Sequence, residues 1–210
     1  MVWARLDDPR NLLNLPNLLT IFRIFLVPLM AICLAYDGDQ PPFEKDWMFR
    51  FSAGRVASFI VFIAGITDLL DGYIARKWKV ETLLGKFLDP VADKLLLMVG
   101  LVMLMKLDRV NEWLVILLLS RELLITALRG VAAGENIIIA AGQSGKLKLI
   151  FQMLGLGFLM WYGSAFGLPA WRVGTVILYI ALVISLVSGF LYLRDFWRAL
   201  SEKRSFPHSA

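Results

Sequence analysis

The sequence predicts an all-α integral membrane protein, a bundle of six transmembrane helices with both termini in the cytoplasm and a short interfacial helix at the N-terminus. Composition is the first observation behind this. Of 210 residues, 59% are hydrophobic and only 19% charged, against about 45–50% and about 25% in a soluble domain. The chain therefore carries more apolar side chains than a globule of its size can bury. Second, these residues gather in six runs, 18–36, 51–72, 87–106, 112–132, 149–168 and 173–193. Each is close to the roughly 20 residues that cross about 30 Å of hydrocarbon. Third, the basic residues divide unequally. Arg5, Arg10, Arg76, Lys77, Lys79, Lys86, Arg129, Lys146, Lys148, Arg194, Arg198, Lys203 and Arg204 fall on one side, and Lys45, Arg50, Arg55, Lys106, Arg109 and Arg172 on the other. The richer side is cytoplasmic by the positive-inside rule.

The elements follow in order. Residues 1–17 contain Asp7 and Asp8 and precede a full-length apolar run, so they read as a retained segment and not a cleaved signal. Trp3, Leu6, Leu12, Leu13 and Leu15, set among Arg and Asp, suit a helix lying in the interface. Residues 18–193 form the six-helix membrane domain, and 194–210 a basic cytoplasmic tail. Asp37, Asp39, Glu44 and Asp46 with Pro41-Pro42 make an acidic loop outside. A short basic loop between the second and third spans makes those helices antiparallel neighbours. Gly163-x-x-x-Gly167 fits the small-residue spacing of helix contacts. Arg23, Lys94 and Arg121 lie within spans or at their edges. The net charge of +5 reflects orientation in the membrane, and no nucleic-acid partner is expected. Cys33 is the only cysteine, which excludes an intrachain disulfide, and His208, close to the final Ala210, is the only histidine, which counts strongly against histidine-dependent triads. Any metal must be held by oxygen.

Chemistry concentrates around residues 68–93. Asp68 and Asp71 are three apart at the end of the second span, and Asp89 and Asp93 four apart at the start of the third. Either spacing puts a pair on one helix face. One Asp at mid-bilayer costs roughly 2.5–3.5 kcal/mol on insertion scales, and four neighbouring anions also repel. Two divalent cations would neutralise them, and hard oxygen ligands select Mg²⁺ or Mn²⁺. Such paired ions stabilise the attacking and leaving oxygens of a phosphoryl displacement. The alternative, caps and salt-bridge partners for Arg76, Lys86 and Lys94, explains one Asp per helix end but not a second a turn deeper. Gly72 and Gly85 either end helices or let backbone approach a nucleotide. Arg121, Arg129, Lys146 and Lys148 either anchor the helices at the membrane surface or form a cradle for a small phosphorylated acceptor.

The pattern Asp-x2-Asp-Gly-x2-Ala-Arg-x8-Gly-x3-Asp-x3-Asp, met in full by Asp68, Asp71, Gly72, Ala75, Arg76, Gly85, Asp89 and Asp93, resembles the signature of the CDP-alcohol phosphatidyltransferase family. The resemblance implies a six-helix membrane fold, a homodimer, and a two-metal site that binds a CDP-linked donor. It implies metal ligation by Asp68, Asp71 and Asp89, with Asp93 a ligand or near-ligand that also takes the acceptor's proton. Gly72, Ala75 and Gly85 would shape the cytidine pocket, and Arg76 would hold the donor phosphates.

Asn14-Leu-Pro-Asn17-Leu-Leu-Thr20-Ile-Phe-Arg23 is similar to the opening of bacterial members that make phosphatidylglycerophosphate. That likeness implies that Asn17, Thr20 and Arg23 approach the nucleotide; otherwise Arg23 snorkels to the interface. Ser120-Arg121-Glu122, Ala127-Leu128-Arg129 and Gly145-Lys146-Leu147-Lys148 with Gln152-Met153 are similar to the same branch. Leu149 stands where that branch often has Thr. The reaction expected is transfer of a phosphatidyl group from CDP-diacylglycerol to sn-glycerol 3-phosphate, at an active site facing the cytoplasm in a bacterial inner membrane. Phosphatidylglycerol or an inositol phosphate is the rival acceptor. A divalent-cation transporter could use the same carboxylates, but transporters carry repeated halves and midplane sites, whereas these occur once, near one face.

Overall fold

A computed structural model describes residues 15–39, 47–78, 83–135, 144–161, 164–165 and 168–205. They form an all-α fold of six helices: α1 Leu15–Asp39, α2 Trp47–Trp78, α3 Leu83–Lys106, α4 Glu112–Gly134, α5 Ser144–Trp161 and α6 Ala170–Ser205. Each expected apolar run falls on one of them. Of the expected interfacial segment, residues 1–14 lie outside the described residues, and Leu15, Pro16 and Asn17 open α1 instead.

Several boundaries differ from those that hydropathy suggests. α2 continues beyond residue 72, through Arg76 and Lys77 to Trp78, and α6 extends through most of the expected tail to Ser205. A helix satisfies its backbone internally and can carry charge past its apolar stretch, so hydropathy sets a minimum length and not an end. α5 stops at Trp161, short of the expected 168. After it, β1 (Ser164–Ala165) pairs antiparallel with β2 (Leu168–Pro169). Gly and Pro punctuate this stretch. Gly163 and Gly167 themselves lie outside the described residues, and Ser164–Ala165 between them is extended, not helical.

Asp37 and Asp39 belong to the last turn of α1 and not to a loop, whereas Pro41, Pro42, Glu44 and Asp46 lie outside the described residues. Asp37 is 2% exposed and pairs with Arg109. The chain places Arg109 by a helix stop. Asp108 takes a left-handed φ of 55°, the Arg109 amide donates to the Leu104 carbonyl at 3.0 Å and the Asp108 amide to that of Met105 at 3.1 Å. These two bonds are a Schellman cap, with Asp in the place that glycine usually takes. Asn111 then caps α4, its side chain accepting from the Trp113 amide at 2.9 Å.

Among the described residues, α1 packs along both α2 and α3, which hardly meet each other. Within these described residues, the second and third spans are thus joined mainly through the wedge of α1. α5 packs extensively on α6 and also on α2, and α4 lies against α6. The α5–α6 seam is close because glycines face it. A Cβ on Gly174 would sit 2.9 Å from the Gly155 carbonyl oxygen and 2.9 Å from the Leu159 amide nitrogen. Ser58 of α2 donates to the Gly157 carbonyl of α5 at 2.8 Å.

Burial is inverted relative to a water-soluble bundle. Phe25 and Phe190 are 70% and 69% exposed, while Arg23 is fully buried. The segments Asn17–Asp37 and Ala170–Ser201 are long and apolar enough to cross a membrane. Both observations are consistent with a membrane protein.

Candidate active site

Asp68 is carried by α2 and Asp93 by α3. The wedge of α1 brings them together. Arg23 Nη1 lies 2.9 Å from Asp68 Oδ1 and 2.8 Å from Asp93 Oδ1. Both oxygens are within 3 Å of one nitrogen, so they are less than 6 Å apart. The Arg23 side chain is 1% exposed, against 27% and 21% for the two carboxylates. A guanidinium this deep does not snorkel, and that alternative is set aside. The cation in the site is one that sequence spacing did not pair with these aspartates. Lys94, considered as a salt-bridge partner for them, instead donates to Thr126 Oγ1 of α4 at 2.8 Å.

Asn17 and Thr20 are 2% and 1% exposed. With Arg23 they sit at intervals of three along α1, on one inward stripe. Beside Asp68, Asp93 and Arg23 opens a cavity of about 170 Å³ with an apolar wall from Phe62 of α2 and from Leu149 and Met153 of α5. The side chains of Asp71, Gly72, Ala75, Arg76, Gly85, Asp89 and Lys146 lie outside the described residues, although each belongs to α2, α3 or α5. Among the described residues no third metal-ligating side chain joins Asp68 and Asp93. The donors present still fit a divalent cation. They are carboxylate oxygens, half-buried, carried by two helices and less than 6 Å apart at Oδ1, and hard cations take such ligands.

A second polar cluster joins α4, α5 and α6. Glu122 Oε2 accepts from Lys148 Nζ and, at 3.2 Å, from Arg121 Nη1. The other end of the guanidinium is tethered, Arg121 Nη2 donating to Ser188 Oγ at 2.7 Å and Ser188 in turn to the Ser185 carbonyl at 3.0 Å. Gly189 makes room, since a Cβ there would lie 3.0 Å from Arg121 Nε. Lys148 is 8% exposed, far from the solvated anchor that a surface lysine would be. Of the four cations expected to form a cradle, the structure therefore brings Arg121 and Lys148 together. Arg129 is exposed and stands over the Tyr192 ring at 5.5 Å. Glu122, Ser188 and Gly189 carry no role that the sequence alone reveals. An acid beside an intramembrane arginine is the only available signal, because Lys148 is 26 residues away.

The two clusters are physically connected. Thr126, which holds Lys94, donates to the Glu122 carbonyl at 2.7 Å. The helix residue after Asp93 is thereby fixed to the turn that begins at Glu122. With divalent cations on the carboxylates, this site and the cation pair on the adjoining helices could hold two anionic reactants side by side.

The family model for CDP-alcohol phosphatidyltransferase matches residues 13–187. Similar proteins include three bacterial ones, each named CDP-diacylglycerol–glycerol-3-phosphate 3-phosphatidyltransferase. That of Bacillus subtilis (strain 168) is 36% identical over 187 residues, covering 89% of this chain and 97% of the relative. That of Haemophilus influenzae is 39% identical over 187 residues, covering 86% and 92%. That of Rickettsia felis is 35% identical over 182 residues, covering 86% and 94%.

Proposed function

Because this chain belongs to the CDP-alcohol phosphatidyltransferase family, we propose that it transfers the phosphatidyl group of CDP-diacylglycerol to sn-glycerol 3-phosphate, releasing CMP and giving phosphatidylglycerophosphate. The observation that carries this reading is the meeting of Asp68 and Asp93 at one buried guanidinium, beside an apolar-walled cavity. A lipid pyrophosphate needs that combination of a charged floor and an oily wall. The acyl chains stay in the hydrocarbon while the nucleotide comes from the water side. Asn17, Thr20 and Arg23 approach the nucleotide, Gly72, Ala75 and Gly85 would shape the cytidine pocket, and Arg76 would help hold the donor phosphates.

In the chemical step a bond forms between the acceptor hydroxyl oxygen and the lipid-side phosphorus. The bond from that phosphorus to the bridging oxygen breaks, and CMP departs with the electron pair. Asp93 accepts the hydroxyl proton, and Arg23 fixes the orientation of its carboxylate. Two divalent cations, Mg²⁺ or Mn²⁺, held by Asp68, Asp71, Asp89 and Asp93, would offset the charge on the pyrophosphate and the departing nucleotide. Arg121 and Lys148, with Lys146 and Arg129, hold the acceptor's phosphate.

All six helices span the bilayer in this reading. The shortest, α5, has 18 residues, about 27 Å at 1.5 Å per residue. Both termini and the active site face the cytoplasm of a bacterial inner membrane, and the enzyme works as a homodimer among membrane lipids. Purified protein given CDP-diacylglycerol, Mg²⁺ or Mn²⁺, and a panel of acceptors tests the reading. CMP release and a phosphatidylglycerophosphate product with sn-glycerol 3-phosphate are expected. Turnover confined to phosphatidylglycerol or an inositol phosphate would overturn the acceptor, and no CMP with any acceptor would overturn the reaction.

A further inference from the structure

The cation pair assigned above to the acceptor is already engaged. Arg121 and Lys148 aim at one point, and that point is Glu122 Oε2. Arg121 has little freedom to look elsewhere, being tethered to Ser188 and closed in by Gly189. The three side chains are 10%, 18% and 10% exposed for Arg121, Glu122 and Lys148, so water screens their charges poorly. One turn further along α5, Gln152 is fully buried and neither its Nε2 nor its Oε1 has a hydrogen-bond partner among the described residues. Its spacing from Lys148 puts it on the same helix face. A buried amide with nothing to bond is costly and suits a hydroxylated ligand that arrives beside Lys148.

We propose that Glu122 is a built-in rival of the acceptor's phosphate: its carboxylate holds Arg121 and Lys148 converged in the resting enzyme, and an incoming phosphate monoester must displace it to bind. This rests on the reading of these cations as the acceptor site. The trio carries a net charge of +1 with Glu122 ionised. A dianionic phosphate brings it to −1, whereas with a neutral side chain at 122 the same ligand gives zero. Glu122 thus keeps two buried cations from repelling each other when the site is empty, and keeps the site from gripping phosphate too tightly when it is full. The second effect matters because phosphatidylglycerophosphate retains the acceptor's phosphate and has to leave. Gln152 is placed to meet the glycerol hydroxyls.

The test is equilibrium binding of inorganic phosphate, and separately of sn-glycerol 3-phosphate, to the purified full-length protein as wild type, Glu122→Gln and Lys148→Ala. Each variant is first checked for a wild-type-like thermal transition. Glu122→Gln is expected to bind both ligands roughly three- to tenfold more tightly, with KM for the acceptor falling alongside. Lys148→Ala should weaken both by roughly tenfold or more. If Lys148→Ala weakens binding while Glu122→Gln leaves it unchanged or weakens it, Glu122 merely orients the cations and the proposal fails, with the acceptor site intact. If Lys148→Ala has no effect, the acceptor-site reading fails and takes the proposal with it. Should Glu122→Gln not fold, Glu122→Asp draws the carboxylate back by one methylene and is expected to tighten phosphate binding to a smaller degree; weaker binding there would equally overturn the proposal.

Discussion

Arg23 shows how much one residue can settle in an apolar bundle. It is fully buried and touches two carboxylates from two other helices. Removing one member of a buried ion pair leaves the rest uncompensated, which costs about 3–5 kcal/mol. Here Asp68 and Asp93 retain 27% and 21% exposure, so Arg23→Met is expected near the lower end, about 3 kcal/mol, read as a lowered thermal midpoint in detergent. Mn²⁺ should raise the midpoint of Arg23→Met more than that of wild type, because the ion takes over the neutralising role. Equal increments would show that the two carboxylates share no cation site. The aspartates are legible in the sequence from their spacing at two span ends. The role of Arg23 is not, since one of its partners is 70 residues away and only the position of α1 reveals it.

At the scale of helices, contact distance is set by glycines facing across a seam. On α6, Gly174→Ala would put a methyl carbon against backbone atoms of α5 at 2.9 Å, and backbone cannot rotate away. Overpacking of this kind costs about 1–3 kcal/mol. A methyl group added at Gly130, in α4, would meet nothing within 4 Å among the described residues, so Gly130→Ala should gain up to about 1 kcal/mol from helix propensity alone. Thermal unfolding of the two variants should therefore move in opposite directions, and a stabilising Gly174→Ala would show that α5 and α6 are farther apart than described. The sequence points to a glycine seam at Gly163 and Gly167, and the fold places one at Gly155 and Gly174. Spacing within one segment identifies helices that could pack closely, but the partner decides which glycines meet. Likewise, Asp37 reads as a solvated loop acid until the Schellman turn at Asp108 delivers Arg109 to it.

Over the whole molecule, hydropathy is enough to locate all six helices, because the apolar runs are long and separated by charge or by Gly and Pro. It does not give their arrangement. Loop length makes the second and third spans neighbours but does not show that, among the described residues, α1 packs on both α2 and α3 and supplies the charge that joins them. Nor does it show that α3, α4 and α5 link the aspartates to the Arg121–Glu122–Lys148 cluster through Lys94 and Thr126. The molecule is organised around a polar interior inside an oily surface, and the proposed function makes the aspartates its chemical centre. Manganese titration of the purified protein, followed by electron paramagnetic resonance, tests that most directly. The account predicts two bound ions per chain, with binding sharply reduced in Asp68→Asn and Asp93→Asn proteins that still melt like wild type. Manganese binding that is absent, or that neither substitution alters, would contradict it.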